Sequence, residues 1–153
     1  MSRLMSCKLT IPSVRARTKT VTRRDPATWT RLKAGDTLTL VEQAQGIPKG
    51  GRVVRLAEVE IIGVRVERLL AGLTCDEIER EGVGADLTEV EWAKWWASQH
   101  GWRPVRAVDA DGLDMRYRWH RHTSGAYAPL REIECRRIEW RYLPAVQEAW
   151  VDE

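Results

Sequence analysis

The chain has 153 residues, about one domain's worth, with 25 Lys and Arg against 22 Asp and Glu and a formal charge of +3. Hydrophobic residues make up 43% and charged residues 31%, which excludes a disordered chain, a coiled coil and a collagen-like one. No apolar run approaches the roughly 20 residues of a membrane helix.

Charge is unevenly distributed. Residues 1–35 hold nine basic groups and one acid, Asp25. Residues 76–91 hold seven acids and one base, Arg80. The two segments can neutralise each other across one fold, or the basic arm can attract polyanions. Both readings stay open at this point. The opening, MSRLMSCKLTIPSVRART, lacks the apolar stretch of a signal peptide. Cys7, Cys75 and Cys135 are far apart and have no zinc-site spacing. They suit a reducing cytoplasm.

In chain order, residues 13–22 read as a helix end or loop running into a short strand. Pro26 breaks it by pushing Asp25 away from helical angles. Residues 26–34 are expected to form a short helix with Trp29 and Leu32 inward, and Gly35–Asp36 a turn. TLTLVEQ (37–43) alternates as a strand does. Residues 52–69 are β-rich, with Val53, Leu56, Val59, Ile61, Val64 and Val66 as the inward set. Their uneven spacing calls for a bulge or bend near Ala57 or Gly63.

The period then changes. Thr74 can cap a helix over Cys75 to Glu81 in a capping-box arrangement with Glu77. Asp86 or Thr88 can cap a second helix over 89–99, with Val90, Ala93, Trp96 and Ala97 on one face and Trp92 and Trp95 beside it. Residues 105–122 read as a hairpin turning at Asp111–Gly112, and 131–143 as a last strand. No repeat or linker divides the chain, so one domain with an α+β fold, a small curled sheet or barrel with helices beside it, is expected.

RTKTVTRR (17–24) followed by LKAGDTLTL (32–40) resembles the opening of the ASCH domain family, relatives of the PUA domains. Ala16 stands where the family has Gly, and Thr18 where it often has Arg. The resemblance implies a PUA-like β-barrel with flanking helices and RNA, nucleotide or nucleoside binding. One bacterial branch hydrolyses the amide of N4-acetylcytidine with a Lys, a Thr three positions later and a Glu from a helical segment. Carried onto this chain, these fall on Lys19, Thr22 and Glu81, with Glu77 and Glu79 close enough for a shifted register. The arginine ending the motif falls on Arg24. Residues 103–128 look like an enlarged hairpin relative to the smallest members.

That chemistry needs a nucleophile, a proton shuttle and an oxyanion partner. Thr22 can supply the hydroxyl, and Lys19 can deprotonate it if burial or the nearby Arg17, Arg23 and Arg24 lower its pKa. Alternatively, Glu81 activates a water while Lys19 holds the oxyanion. On a strand, residues 19 and 22 face opposite ways, so both reach one pocket only if the backbone turns between them.

Arg116, Arg118, His120 and His122, with Arg121 and Arg131, form a second basic set around Tyr117 and Trp119. Such interleaving suits single-stranded nucleic acid, and it equally suits a hairpin with one aromatic and one solvated face. No third ligand accompanies the two histidines, so neither a metal nor another cofactor is expected. Trp95 is the helix tryptophan free to close a base pocket. The resulting expectation is a nucleic-acid or nucleoside-binding domain. The alternatives are the N4-acetylcytidine amidohydrolase and a non-catalytic protein-interaction module.

Overall fold

The computed structural model describes residues 3–108 and 115–145. Among these the fold is mixed α+β, built on two sheets. The first is a curled five-stranded sheet. Its strands are β1 (Arg3–Ser6), β2 (Val21–Arg24), β3 (Thr37–Val41), β4 (Arg55–Arg68) and β8 (Glu134–Tyr142), in the spatial order β1-β3-β4-β8-β2. Only the β1–β3 pairing is parallel. The second sheet is antiparallel, in the order β5-β6-β7, and holds β5 (Trp102–Val108), β6 (Met115–Arg121) and β7 (Ala126–Ala128). Among the described residues three α-helices accompany the sheets, α1 (Ile11–Arg15), α2 (Cys75–Glu81) and α3 (Glu89–Gln99), with a short 3-10 turn at Leu130–Glu132. No described helix is long and apolar enough to cross a membrane.

The curl has a local cause. β4 runs 14 residues, and its pairing with β8 slips between Ile61 and Gly63. One extra residue on one side of a ladder bends the strand and raises its twist. Ala57, Val59 and Ile61 are buried before the slip, while Ile62 is exposed at it. Of the expected inward set, Val53 and Val66 are exposed instead. Val53 precedes β4, and Val66 lies beyond the slip, opposite Arg136.

The expected helix over 26–34 is a run of turns. The Asp25 side chain accepts the Ala27 N–H at 2.9 Å, an Asx turn that competes with helix formation. Trp29 has φ +57°, a left-handed angle that no right-handed helix can contain. Leu32 is nonetheless buried and Trp29 half-buried.

Both later helices begin where the sequence places them. Thr88 and Glu91 form a reciprocal capping box on α3. On α2 only half the box forms: Thr74 accepts the Glu77 N–H at 3.2 Å, but the Glu77 carboxylate is engaged by arginines. Val90, expected on the buried face of α3, is 48% exposed. Trp92 takes its place in the core with Ala93, Trp96 and Ala97.

Two apolar cores result. One holds Met5, Val14, Leu38, Leu40, Val59 and Trp140 under the curled sheet. The other holds Leu69, Ile78, Trp92, Trp96, Trp102 and Trp119 around α2, α3 and the second sheet. Gly82 closes α2 with φ +82° at the seam between them. A Cβ there would sit 2.6 Å from Ser13 Cβ and 3.2 Å from Lys19 Cβ. Gly82→Ala therefore combines left-handed strain with a steric clash. It is expected to cost about 2–4 kcal/mol in a denaturant titration. A loss below about 0.5 kcal/mol would contradict this packing.

Candidate functional site

The segment entering β2 is pinned from several sides. The Ser13 carbonyl accepts the N–H groups of Thr18 at 2.9 Å and Lys19 at 3.2 Å. Arg17, at φ +60°, makes the turn. The Lys19 carbonyl accepts the Trp140 indole N–H at 3.1 Å and the Tyr142 hydroxyl. Thr20 then bridges two elements, donating its N–H to Arg80 O at 2.9 Å and accepting that of Trp140 at 3.0 Å. The backbone thus turns before the strand begins, and Lys19 curls back so that its ammonium donates to Val21 O at 2.9 Å. Lys19 and Thr22 consequently line one cavity, as the chemistry requires and strict alternation forbids.

Glu81 reaches the same place from the end of α2, 62 residues away in sequence. The Lys19 ammonium donates to its carbonyl at 2.5 Å and lies 3.4 Å from its Oε2. Lys19 therefore meets three oxygen acceptors, the full donor capacity of a charged ammonium. Burial pushes its pKa down, and the Glu81 carboxylate pulls it back up. The net direction is downward. Thr22 is buried, and its hydroxyl makes no hydrogen bond to another described residue.

Arg23 ties this pair to a larger network. It donates to Glu81 Oε1 at 3.0 Å and to Glu77 Oε2 at 2.6 Å, and approaches Glu67 at 3.4 Å. Arg137 grips Glu77 with two bonds of 2.9 Å and Glu139 with one of 2.9 Å. Arg80 joins Glu77, Glu139 and Thr20. Burial opposes ionisation of Glu77, but the bonds from Arg137 and Arg23 outweigh it and hold its pKa at about 2. Burial likewise opposes the charge on Arg23, and Glu81 and Glu77 more than offset it, so its pKa rises.

The cavity has a volume of about 260 Å³ and takes its walls from both cores. Trp92, Trp95, Trp96 and His100 form an aromatic side. His100 stacks on Trp96 with ring centres 3.8 Å apart, and burial lowers its pKa, favouring the neutral ring. Lys19, Thr22, Arg24 and Glu81 form the polar side.

Of the residues singled out in the sequence, Lys19, Thr22, Arg23, Arg24, Glu81 and Trp95 meet here. Arg17 does not: it is exposed and turns its guanidinium to the Tyr142 ring and the Leu143 carbonyl. Arg118 is exposed on β6, away from the cavity. The side chain of Arg116 and the Asp111–Gly112 turn lie outside the described residues. Cys7 and Thr10 also line the cavity and were missed, because the sequence before residue 13 shows no clear element. Arg137 and Glu139 were missed as well. The signal was available, since they sit two apart on a strand and so share a face.

No protein-family model matches the chain, and no curated protein matches it either. Its fold is similar to the crystal structure of a protein from Enterococcus faecalis described as DUF984, with a TM-score of 0.52 and 10% sequence identity. The match covers 94% of this chain and 80% of that one. At that identity the likeness concerns the fold alone.

The depressed pKa of Glu77 fixes a pH dependence. Its charged form is favoured by folding, so the stability it contributes is complete above its ordinary value of 4.5 and is lost as pH falls towards about 2. The loss should be on the order of 3 kcal/mol across that window. Urea titrations between pH 6 and pH 2 should show Glu77→Gln flattening this part of the profile. An unchanged slope would refute the assignment.

Proposed function

We propose that this chain is an ASCH-type domain of the PUA-like kind whose cavity binds a nucleobase or nucleoside. The observation that carries the reading is the two-sided cavity. Trp95 and His100, the latter kept neutral by burial, offer flat surface to a ring, with the buried Trp92 and Trp96 packed against them. Opposite them, Thr22, Lys19, Glu81 and Arg24 offer donors and acceptors for the ring's polar edge. Aromatic walls for stacking with a few placed polar groups are how flipped-out or single bases are held. The volume suits one nucleoside, not a duplex.

A second reading goes further and makes the site catalytic. It is favoured by the convergence of Lys19, Thr22 and Glu81, which are unremarkable separately. In N4-acetylcytidine the bond to be broken joins the exocyclic nitrogen to the acetyl carbon. Water adds its oxygen to that carbon, and its two protons end on the released amine and the acetate. The resting hydrogen bonds favour one division of labour. Lys19, engaged as an ammonium, is better placed to hold the developing oxyanion than to act as a base, exchanging its long 3.4 Å contact with Glu81 Oε2 for the substrate oxygen. Glu81 takes a proton from the attacking water and passes it to the leaving nitrogen. Thr22, whose hydroxyl has no described partner, is free to bond the substrate carbonyl or to attack it.

Incubation with N4-acetylcytidine, followed by chromatography for cytidine, separates the readings. Turnover that falls by about 100-fold or more in Lys19→Ala and Glu81→Ala supports catalysis. Thr22→Val separates its roles: complete loss with no residual turnover identifies it as the nucleophile. Saturable binding without turnover leaves the nucleoside-binding reading alone. Neither binding nor turnover removes both.

A further inference from the structure

His100 stands at the C-terminal end of α3 and lines the cavity. Its ring is fixed on two sides. One face stacks on Trp96 with the planes 19° apart, and Nδ1 lies 2.8 Å from the Trp96 carbonyl oxygen. A carbonyl only accepts, so this bond assigns the proton to Nδ1. The neutral ring then keeps one lone pair, on Nε2. Nε2 has no hydrogen-bond partner among the described residues. Nor is it sealed from solvent, as the orphaned Arg23 Nε and Arg121 Nε are. The carboxylate that lines the cavity, Glu81, is already shared between Lys19 and Arg23. His100 Nε2 is therefore an open acceptor among groups that mostly donate.

The surroundings keep the ring neutral. Burial is the largest influence and disfavours the imidazolium. Arg24 of β2 and Arg121 of β6 oppose it further. The Trp96 carbonyl and Asp25 favour the charge, but Asp25 is already paired with Arg121. The balance lies below the ordinary imidazole value. At neutral pH Nε2 accepts, and only in acid does it become a donor.

We infer that His100 is a specificity-determining residue of the cavity, whose Nε2 selects a ring presenting an N–H donor at that edge, refuses one presenting a carbonyl, and reverses the choice when protonated. This rests on the nucleoside reading of the cavity. It gives Trp95 the stacking face and His100 the discriminating edge. It adds a rule for which bases enter, amino-bearing before oxo-bearing, and a pH dependence of entry. A carbonyl opposite Nε2 gains no bond and sets two lone pairs against each other, whereas an amino group satisfies both partners.

The test uses two pairs of nucleosides that carry no exocyclic amide, cytidine with uridine and adenosine with inosine. Each is titrated calorimetrically from about pH 8 to about pH 5, across the imidazole range. At the upper end the amino member of a pair should bind about tenfold tighter than its oxo partner, the worth of one hydrogen bond gained against one refused. The preference should shrink and reverse as His100 takes up a proton. Linkage supplies a second readout that needs no substitution. The amino ligand favours the neutral ring, so its binding should push the His100 pKa further down, and the oxo ligand should raise it. Long-range proton–nitrogen NMR spectra of the imidazole follow this shift and report the tautomer. His100→Phe, which keeps a ring against Trp96, should bind both members of a pair alike at every pH, with circular dichroism verifying the fold. Equal affinity within both pairs, or a proton on Nε2 and not Nδ1 in the free protein at neutral pH, overturns this inference. So does absence of binding by all four. N4-acetylcytidine titrated alongside shows in each case whether the nucleoside reading itself survives.

Discussion

Three arginines stand on one rung of the curled sheet. Arg23 of β2 lies opposite Arg137 of β8, which lies opposite Arg65 of β4. Like charges directly across a ladder repel, and Arg23 has no exposed side-chain surface through which water can screen it. The rung is tenable only with carboxylates over it. Glu67 comes from the same sheet, Glu139 from β8, and Glu77 and Glu81 from α2. Seating α2 on the sheet is therefore an electrostatic requirement as well as an apolar one, and it fixes where Glu81 ends. Because Glu81 is held by Arg23 on one oxygen, its other oxygen is set facing Lys19. The polar side of the cavity is thus the outer end of a network whose interior exists to neutralise the sheet.

This arrangement explains the split in the linear charge. The basic arm and the acidic segment do neutralise each other: Lys19 and Arg23 pair with Glu81 and Glu77. The same pairing builds the cavity's polar side. What remains cationic after pairing is smaller and more local than a charge of +8 suggests. Lys8 and Arg24, without a described carboxylate in ion-pair range, both line the cavity. Removing one member of the buried set would leave a charge without compensation, a loss of about 3–5 kcal/mol in comparable pairs.

Much of this was legible from residues. The caps at Thr74 and Thr88 located α2 and α3 because a hydroxyl followed three positions later by Glu is a local signal. The bend at Gly63 showed as a break in alternation. What was not legible depended on distant partners. The turns over residues 26–34 contain helix-compatible residues, and only the left-handed Trp29, held against the core, excludes the helix. β1 is four residues long and pairs in parallel with β3, a contact that periodicity cannot reveal. Lys19 and Thr22 were identifiable as candidates, yet their convergence required Trp140 and Tyr142, more than 120 residues away, to hold the Lys19 carbonyl.

That last dependence bears on the aromatic composition, eight Trp and no Phe. Three of the tryptophans bury a large apolar ring and spend the indole N–H on a backbone carbonyl of a site segment. Trp140 holds Lys19, Trp96 holds Arg23 at 3.0 Å, and Trp92 holds Val83 at 3.0 Å just after α2. A Phe at any of these places would be smaller and would remove the indole donor, leaving the Lys19 carbonyl with the Tyr142 hydroxyl alone. A buried carbonyl left without any donor costs about 1–3 kcal/mol. Trp92 and Trp96 at the same time line the cavity. One residue type thus packs both cores and fixes the chain around the ion pair, which a purely apolar aromatic could do only in part.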